Sequence, residues 1–246
     1  MITIDYSKYS SSIQEIIRTN NLANFKTNTA YTEVLEHVNY KDGYEYLSAI
    51  RGNTALTKGD VVRFCELNDS HGNPKQERYD DIVTSPTSLR YIWHAHLILS
   101  YFKKFNRQSY ELVEVGGGYG GLCLAISFFA KMYDITISRY SIIDLNEASE
   151  LQTIYLSKFS IPFPIDYISA DTFGKNIEGN DLFFISNYCF SEISAEYQKK
   201  YRENLFPKVL HGFLAWNMIP LYNFGFPVYV EDETPKTGEF NKFVYF

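Results

Sequence analysis

The sequence predicts an α/β fold: a mostly parallel sheet flanked by helices, closed by a C-terminal antiparallel hairpin and preceded by an N-terminal helical appendage. Three observations predict it. An apolar run containing Leu112, Val113 and Val115 enters a glycine-rich turn at 116–121, which leads straight into the apolar stretch 122–129; this is the pattern of a buried strand, a ligand-holding turn and a helix. Between 140 and 205 strand-like and helix-like runs alternate, as parallel strands with helical crossovers require. The last two strand-like runs, 226–230 and 242–246, have no long helix between them and read as a hairpin at the sheet edge.

In chain order, residues 1–50 carry apolar residues at helical spacing in two pieces, Ile13, Ile16 and Ile17, then Tyr31, Val34, Leu35 and Val38. From 51 to 88 turn signals follow closely on one another: Gly52-Asn53, Lys58-Gly59-Asp60, the polar stretch ending at Pro74, and Ser85-Pro86. They predict an irregular connector or lid. Thr87 or Ser88 is placed to cap a helix running to about Phe105. Strands are expected at 140–143, 165–168, 181–186 and 211–217, and helices at 147–159 and 195–205. The domain expectation is an N-terminal helical or lid region, 1–85, followed by a ligand-binding domain, 86–246.

Composition excludes several classes. The chain of 246 residues is 45% hydrophobic and 21% charged, with 17% aromatic residues and a net charge of -6; it is too rich in core-forming side chains to be disordered. Its acidic balance argues against gripping nucleic-acid backbones, which takes clustered Lys and Arg. The three cysteines, Cys65, Cys123 and Cys189, lack CxxC spacing and suggest neither a disulfide framework nor a zinc site. Reduced thiols and an N-terminus without a signal-type apolar region fit a cytoplasmic setting. No run of about 18 apolar residues is present to span a membrane.

The glycine turn admits two readings. Gly116-x-Gly118-x-x-Gly121 matches the dinucleotide fingerprint and so admits an NAD(P)-dependent oxidoreductase, although no Tyr-x-x-x-Lys hydride-transfer pattern follows the fourth strand. Glu114-x-Gly116-x-Gly118-x-Gly120 equally fits the acidic-plus-glycine turn of S-adenosyl-L-methionine (SAM) enzymes, where a carboxylate suits a cationic ligand and has no evident role toward an anionic pyrophosphate. Asp144, with Leu145 beside it, ends the next strand at the edge where open α/β sheets bind ligands, placed to accept both ribose hydroxyls of an adenosine. Asp171, at the end of the third strand, is placed for the adenine amino group. The competing role of each carboxylate is a helix cap or a solvated loop position.

The segments Glu114–Leu122, Ser141–Ala148 and Leu151-Gln152-x-x-Tyr155-Leu156, with Asn73-Pro74, Ser85–Tyr91 and Ser186–Glu192, together resemble the putative sugar O-methyltransferase family of class I SAM-dependent methyltransferases. The likeness spans roughly residues 70–246; Asn146 stands where relatives carry proline. It implies a Rossmann-like methyltransferase sheet, SAM as cofactor and a saccharide or glycoconjugate hydroxyl as acceptor. A catalytically silent SAM-binding protein is the remaining alternative.

Methyl transfer from a sulfonium is an in-line displacement governed by positioning, but a sugar hydroxyl needs a base to take its proton. His94 shares a helix face with Arg90, whereas His96 falls with Leu89, Ile92 and Trp93. His94 is therefore the candidate base and His96 the core histidine. Asn187 and Glu192 follow the fourth strand, where the methyl group and the acceptor meet, and Glu192 is the second candidate base. Tyr119 is placed in the turn for a cation–π contact with a sulfonium, packing beneath the turn being the alternative. Tyr188 and Phe190 are candidates for an aromatic wall. Asp171 and Glu192 are the only oxygen ligands available to a metal, so a metal-independent reaction is expected.

Overall fold

The computed structural model describes residues 7–19, 22–53, 55–105 and 107–246. Residues 1–6, assigned above to the N-terminal appendage, lie outside the described residues. Helix α1 (Ser7–Arg18) buries Tyr9, Ile13 and Ile16, one stripe at helical spacing. One turn, α2 (Thr29–Thr32), is capped by the Asn28 side chain, and α3 (Tyr40–Arg51) is capped by Asn39. The second apolar piece therefore departs from expectation: helix occupies only four residues of 29–38, and the long helix begins after it. The apolar side chains Val34, Leu35 and Val38 instead form the wall of a cavity, a task that does not require helical backbone.

The stretch 51–88 departs further. It holds helix α4 (Lys58–Asp69) and a hairpin of β1 (Glu77–Tyr79) with β2 (Ile82–Thr84). The Lys58-Gly59-Asp60 signal is the first turn of α4: Thr57 Oγ1 accepts from the Asp60 amide as the helix cap while donating to the Asp60 carboxylate. Residues that favour turns favour helix starts for the same reason. Next, α5 (Pro86–Phe102) begins with proline at its first position and Ser85 as its cap, two residues before the earliest cap the sequence suggested.

The central order then follows expectation closely: β3 (Tyr110–Val115), α6 (Gly121–Phe129), β4 (Ile137–Asp144), α7 (Asn146–Leu156), β5 (Ile165–Ser169), β6 (Leu182–Asn187), α8 (Cys189–Glu192), α9 (Ala195–Asn204), β7 (Val209–Trp216), β8 (Tyr229–Asp232) and β9 (Lys242–Tyr245). The seven-stranded sheet runs β5-β4-β3-β6-β7-β9-β8. Its first five strands are parallel, and β9 pairs antiparallel with both β7 and β8. The chain leaves β3 in one direction and returns to its other side as β6, which opens the ligand crevice of an open α/β sheet between their carboxyl ends.

Both faces of the sheet are buried, which explains why its central strands are apolar without alternation. Leu112, Ile142, Ile185 and Phe213 face a core shared with α1 and α3 through α7, so the N-terminal residues Tyr9, Ile13, Phe25 and Tyr31 pack into the same cluster as the sheet. Val113, Ile143, Phe184 and Leu214 face the other side. Helices were expected on both faces, and the second carries α8 and α9, with Phe206 and Phe224 packed beside them.

Candidate active site

A cavity of about 680 Å³ opens at the carboxyl ends of β3, β4 and β6. The glycine turn forms its floor. Gly116, Gly118 and Gly120 all take positive φ, and Gly120 caps α6 from the left-handed region. At Gly116 (φ 80°) an added Cβ would run into Cys189, and at Gly118 (φ 59°) it would meet Leu35 at 3.0 Å. Gly116 and Gly118 line the cavity; Gly120 lies behind it, against Leu156.

Glu114 lies beneath the turn with 1% of its surface exposed, its Oε2 accepting from the Tyr140 hydroxyl at 2.9 Å. Burial pushes its carboxyl up to about 8, which works against the charged form. Glu114 reaches the cavity from beneath the turn, where burial works against the standing carboxylate expected for a cationic ligand.

Asp144 is tied to the turn. Its Oδ2 accepts from the Gly118 amide at 3.1 Å and from Gln152 Nε2 at 2.9 Å, and its Oδ1 from the Leu145 amide at 2.8 Å. Gln152 also donates to the Gly118 carbonyl at 2.9 Å. The carboxylate thus braces the turn while lining the cavity with Leu145, and burial raises it to about 6. Asp171, in the short turn after β5, lines the same cavity from an exposed position.

The segment after β6 makes the opposite wall. Ser186 Oγ donates to the Val115 carbonyl at 2.8 Å and accepts from the Phe190 amide at 3.0 Å, locking this segment to β3. Asn187 lines the cavity with its Oδ1 buried and without a hydrogen-bond partner. Tyr188 sits at φ 66°, a strained conformation for a residue with a side chain, and such strain concentrates at functional sites. Its hydroxyl is held by Glu233, whose carboxylate also accepts from Thr237 and Asn241 and fixes the 233–241 loop beside the cavity. Glu192, at the end of α8, lines the cavity and accepts from Asn217 Nδ2 at 2.6 Å.

Three expectations are corrected here. His94 lies outside the cavity: it is fully buried among Tyr46, Tyr188, Phe213 and Phe243, neither ring nitrogen has a partner, and burial depresses it to about 3. That imidazole is separated from the cavity by Tyr46 and Tyr188 and is not placed to take a proton from a ligand there. Helical phase had separated His94 from His96, but both are core residues, His96 being held by Asn53 at 2.6 Å and by the Tyr133 hydroxyl at 2.5 Å. Tyr119 also points away from the cavity. Its ring packs with Phe25, Tyr91 and Tyr155, and the cation over it is Lys26, 4.3 Å from the ring centre. Of the aromatic wall only Tyr188 faces the cavity; Phe190 is buried on the far face of the sheet.

Residues that sequence reasoning missed lie chiefly before β3. Arg90 and Tyr46 line the cavity, as does the loop 237–241. Arg90 stood in the sequence beside the cap of α5, but only its hydrogen bond to the Leu35 carbonyl, 55 residues upstream, turns it inward. Among the described residues, no group of three or more His, Cys, Asp or Glu is arranged to hold a metal ion, and no helix is long and apolar enough to cross a membrane.

No protein-family model matches this chain, and no curated protein matches it. Among solved structures, it is similar to the CMeT domain of citrinin polyketide synthase, at 10% identity with a TM-score of 0.51, covering 95% of this chain and 67% of that one. An rRNA methylase from Streptococcus thermophilus aligns over 61% of this chain and 93% of its own at 11% identity, TM-score 0.45. A SAM-dependent methyltransferase from Aquifex aeolicus aligns over 61% and 87% at 14% identity, TM-score 0.45. The first of these, with the strand order, establishes the fold as the Rossmann-like methyltransferase fold.

Proposed function

We propose that this chain is a SAM-dependent O-methyltransferase whose acceptor is a hydroxyl of a saccharide or glycoconjugate. The observation that carries the reading is the meeting, in one cavity, of the Gly116–Gly118 turn, the Asp144 carboxylate at the end of the neighbouring strand and the Asn187–Glu192 segment across the switch point. The resemblance of the same segments to sugar O-methyltransferases supports the acceptor class.

The residues present fit the cofactor. Side chains at Gly116 and Gly118 would fill the cradle, and the unpartnered Asn187 Oδ1 accepts one hydrogen bond from a ligand. Asp144 keeps lone pairs beyond its three bonds for ribose hydroxyls, and Asp171 is the exposed carboxylate for the adenine amino group. When bound, SAM supplies an electrophilic methyl group on sulfur.

Glu192 takes the proton of the acceptor hydroxyl, oriented for that task by Asn217. Tyr188, pinned through Glu233, presents a rigid face against which an acceptor ring stacks. The 1–85 region contributes Tyr9, Val34, Leu35 and Val38 as a cover that keeps water from the reacting atoms.

Turnover is measured as S-adenosylhomocysteine release over a panel of glycans. Glu192→Gln is expected to lower kcat by about 10²- to 10⁴-fold, the range of a lost general base, while S-adenosylhomocysteine affinity holds. An unchanged kcat removes Glu192 from that role. Activity is expected to survive EDTA; loss on chelation with recovery on adding magnesium would show a metal-dependent reaction instead.

A further inference from the structure

We propose that Glu233 is a positioning residue for the acceptor: by holding Tyr188 and the 237–241 loop on one carboxylate it sets the slot in which an acceptor ring lies, with Phe240 as the second wall. The ring itself rests on the saccharide reading. Glu233 is 2% exposed. Its Oε1 accepts from the Tyr188 hydroxyl, and its Oε2 accepts from the Thr237 amide at 2.8 Å, the Thr237 hydroxyl at 2.7 Å and Asn241 Nδ2 at 3.0 Å. The backbone closes the same loop, the Glu233 amide donating to the Asn241 carbonyl at 3.2 Å. Among the described residues Glu233 forms no ion pair. Withdrawing a carboxylate from water is costly, and here neutral donors alone offset it. Tyr188, Thr237 and Asn241 all line the cavity, whereas Glu233 stands behind them and acts only through them.

The parts tied by this carboxylate are fixed from other directions as well. The Tyr188 amide donates to the Ala215 carbonyl at 2.8 Å, and Trp93 Nε1 donates to the Thr234 carbonyl where the loop begins. Tyr46, on α3, reaches Tyr188 and Thr237, so α3 backs the same corner. Braced in this way, the loop brings Phe240 to the cavity lining with 45% of its surface exposed. A rigidly presented aromatic face packs well against the apolar face of a ring. The groups assigned to the cofactor are braced separately, Asp144 by Gly118, Leu145 and Gln152. Loss of Glu233 therefore falls on the acceptor and spares the cofactor.

The test compares Glu233→Ala, Glu233→Gln, Tyr188→Phe and Phe240→Ala in the full chain, each first shown to be folded by circular dichroism. The readouts are S-adenosylhomocysteine affinity by calorimetry, kcat and KM over the glycan panel, and hydrogen exchange at 237–241. Glu233→Ala is expected to lower kcat/KM for the acceptor by about 10²-fold, as misplacement of a bound reactant does, and to reorder the glycans while S-adenosylhomocysteine affinity holds. Glu233→Gln restores most of the loss, because its amide oxygen accepts from the loop and its amide N–H donates to the Tyr188 oxygen. Tyr188→Phe keeps the ring, loses the tie and shows part of the same loss. Phe240→Ala raises the acceptor KM about tenfold with kcat held; Phe240 is half-exposed, so this variant reads the slot even where Glu233→Ala does not fold. Unchanged acceptor kinetics in folded Glu233→Ala, an equal loss of S-adenosylhomocysteine affinity, or an unchanged KM in Phe240→Ala overturns the proposal. Wild-type protein that binds S-adenosylhomocysteine but methylates no glycan refutes the saccharide reading instead. Faster exchange at 237–241 in Glu233→Ala or Tyr188→Phe, with 116–118 unchanged, then upholds the positioning role, and equal exchange overturns it.

Discussion

His94 and Glu114 show how burial, rather than residue type, sets the chemistry of single side chains in this fold. Both were legible in the sequence as titratable groups beside a ligand turn; burial works against the charged form of each. Helical spacing reports which residues share a face, not whether that face meets a cavity or a packed sheet, so His94 was indistinguishable from a base until Phe213 and Phe243 were seen against it. The turn glycines and Asp144 were legible because their roles are local: positive φ selects glycine, and a strand's last residue lies at the ligand edge. His94 also carries a prediction about pH. Its folded value, about 3, lies below the ordinary 6.5, so the unfolded chain binds the proton more tightly and stability falls as pH drops from 6.5 toward 3. Replacing it by leucine removes two unpartnered ring nitrogens from the core and this acid sensitivity with them. Urea denaturation of His94→Leu is expected to show a loss between pH 7 and pH 5 smaller than wild type by up to about 2 kcal/mol, with turnover intact. Equal acid losses in the two proteins would contradict the buried, neutral histidine.

At the scale of elements, the N-terminal helices share one core with the sheet. Helix α1 packs on α7, where Gln14 Nε2 donates to Glu147 at 2.7 Å, and its stripe enters the cluster that holds the sheet. Lys26, 1% exposed, donates to the Asn68 carbonyl at 2.6 Å beneath the ring of Tyr119. Burial brings its ammonium down to about 8. This network joins the N-terminal region to the residue that follows Gly118, and no sequence spacing announces it, because Lys26, Asn68 and Tyr119 lie far apart in the chain. Ile13→Ala is expected to cost about 2–5 kcal/mol, as for other buried aliphatic truncations, in a single unfolding transition seen alike by circular dichroism and by aromatic fluorescence. Two resolved transitions, with only the first shifted, would mean that residues 1–85 fold as a unit apart from the rest.

For the whole molecule, strand alternation was legible because parallel sheets with crossovers leave a coarse, repeated signature, whereas α4 and the β1–β2 hairpin were hidden by turn residues that also start helices and hairpins. The strand order brings three sequence-distant segments to one crevice: the turn after β3, Asp144 after β4 and the Asn187–Glu192 segment after β6. That convergence is what the proposed SAM site rests on beyond a generic glycine-rich loop, and it is tested most directly by calorimetric titration of the full chain with SAM and with NAD, repeated on Asp144→Ala. The account predicts saturable SAM binding at one site per chain, weakened at least about tenfold by Asp144→Ala, as expected when a buried carboxylate pairing with ligand hydroxyls is removed, and no NAD binding. Saturable NAD binding in the absence of SAM binding would contradict it.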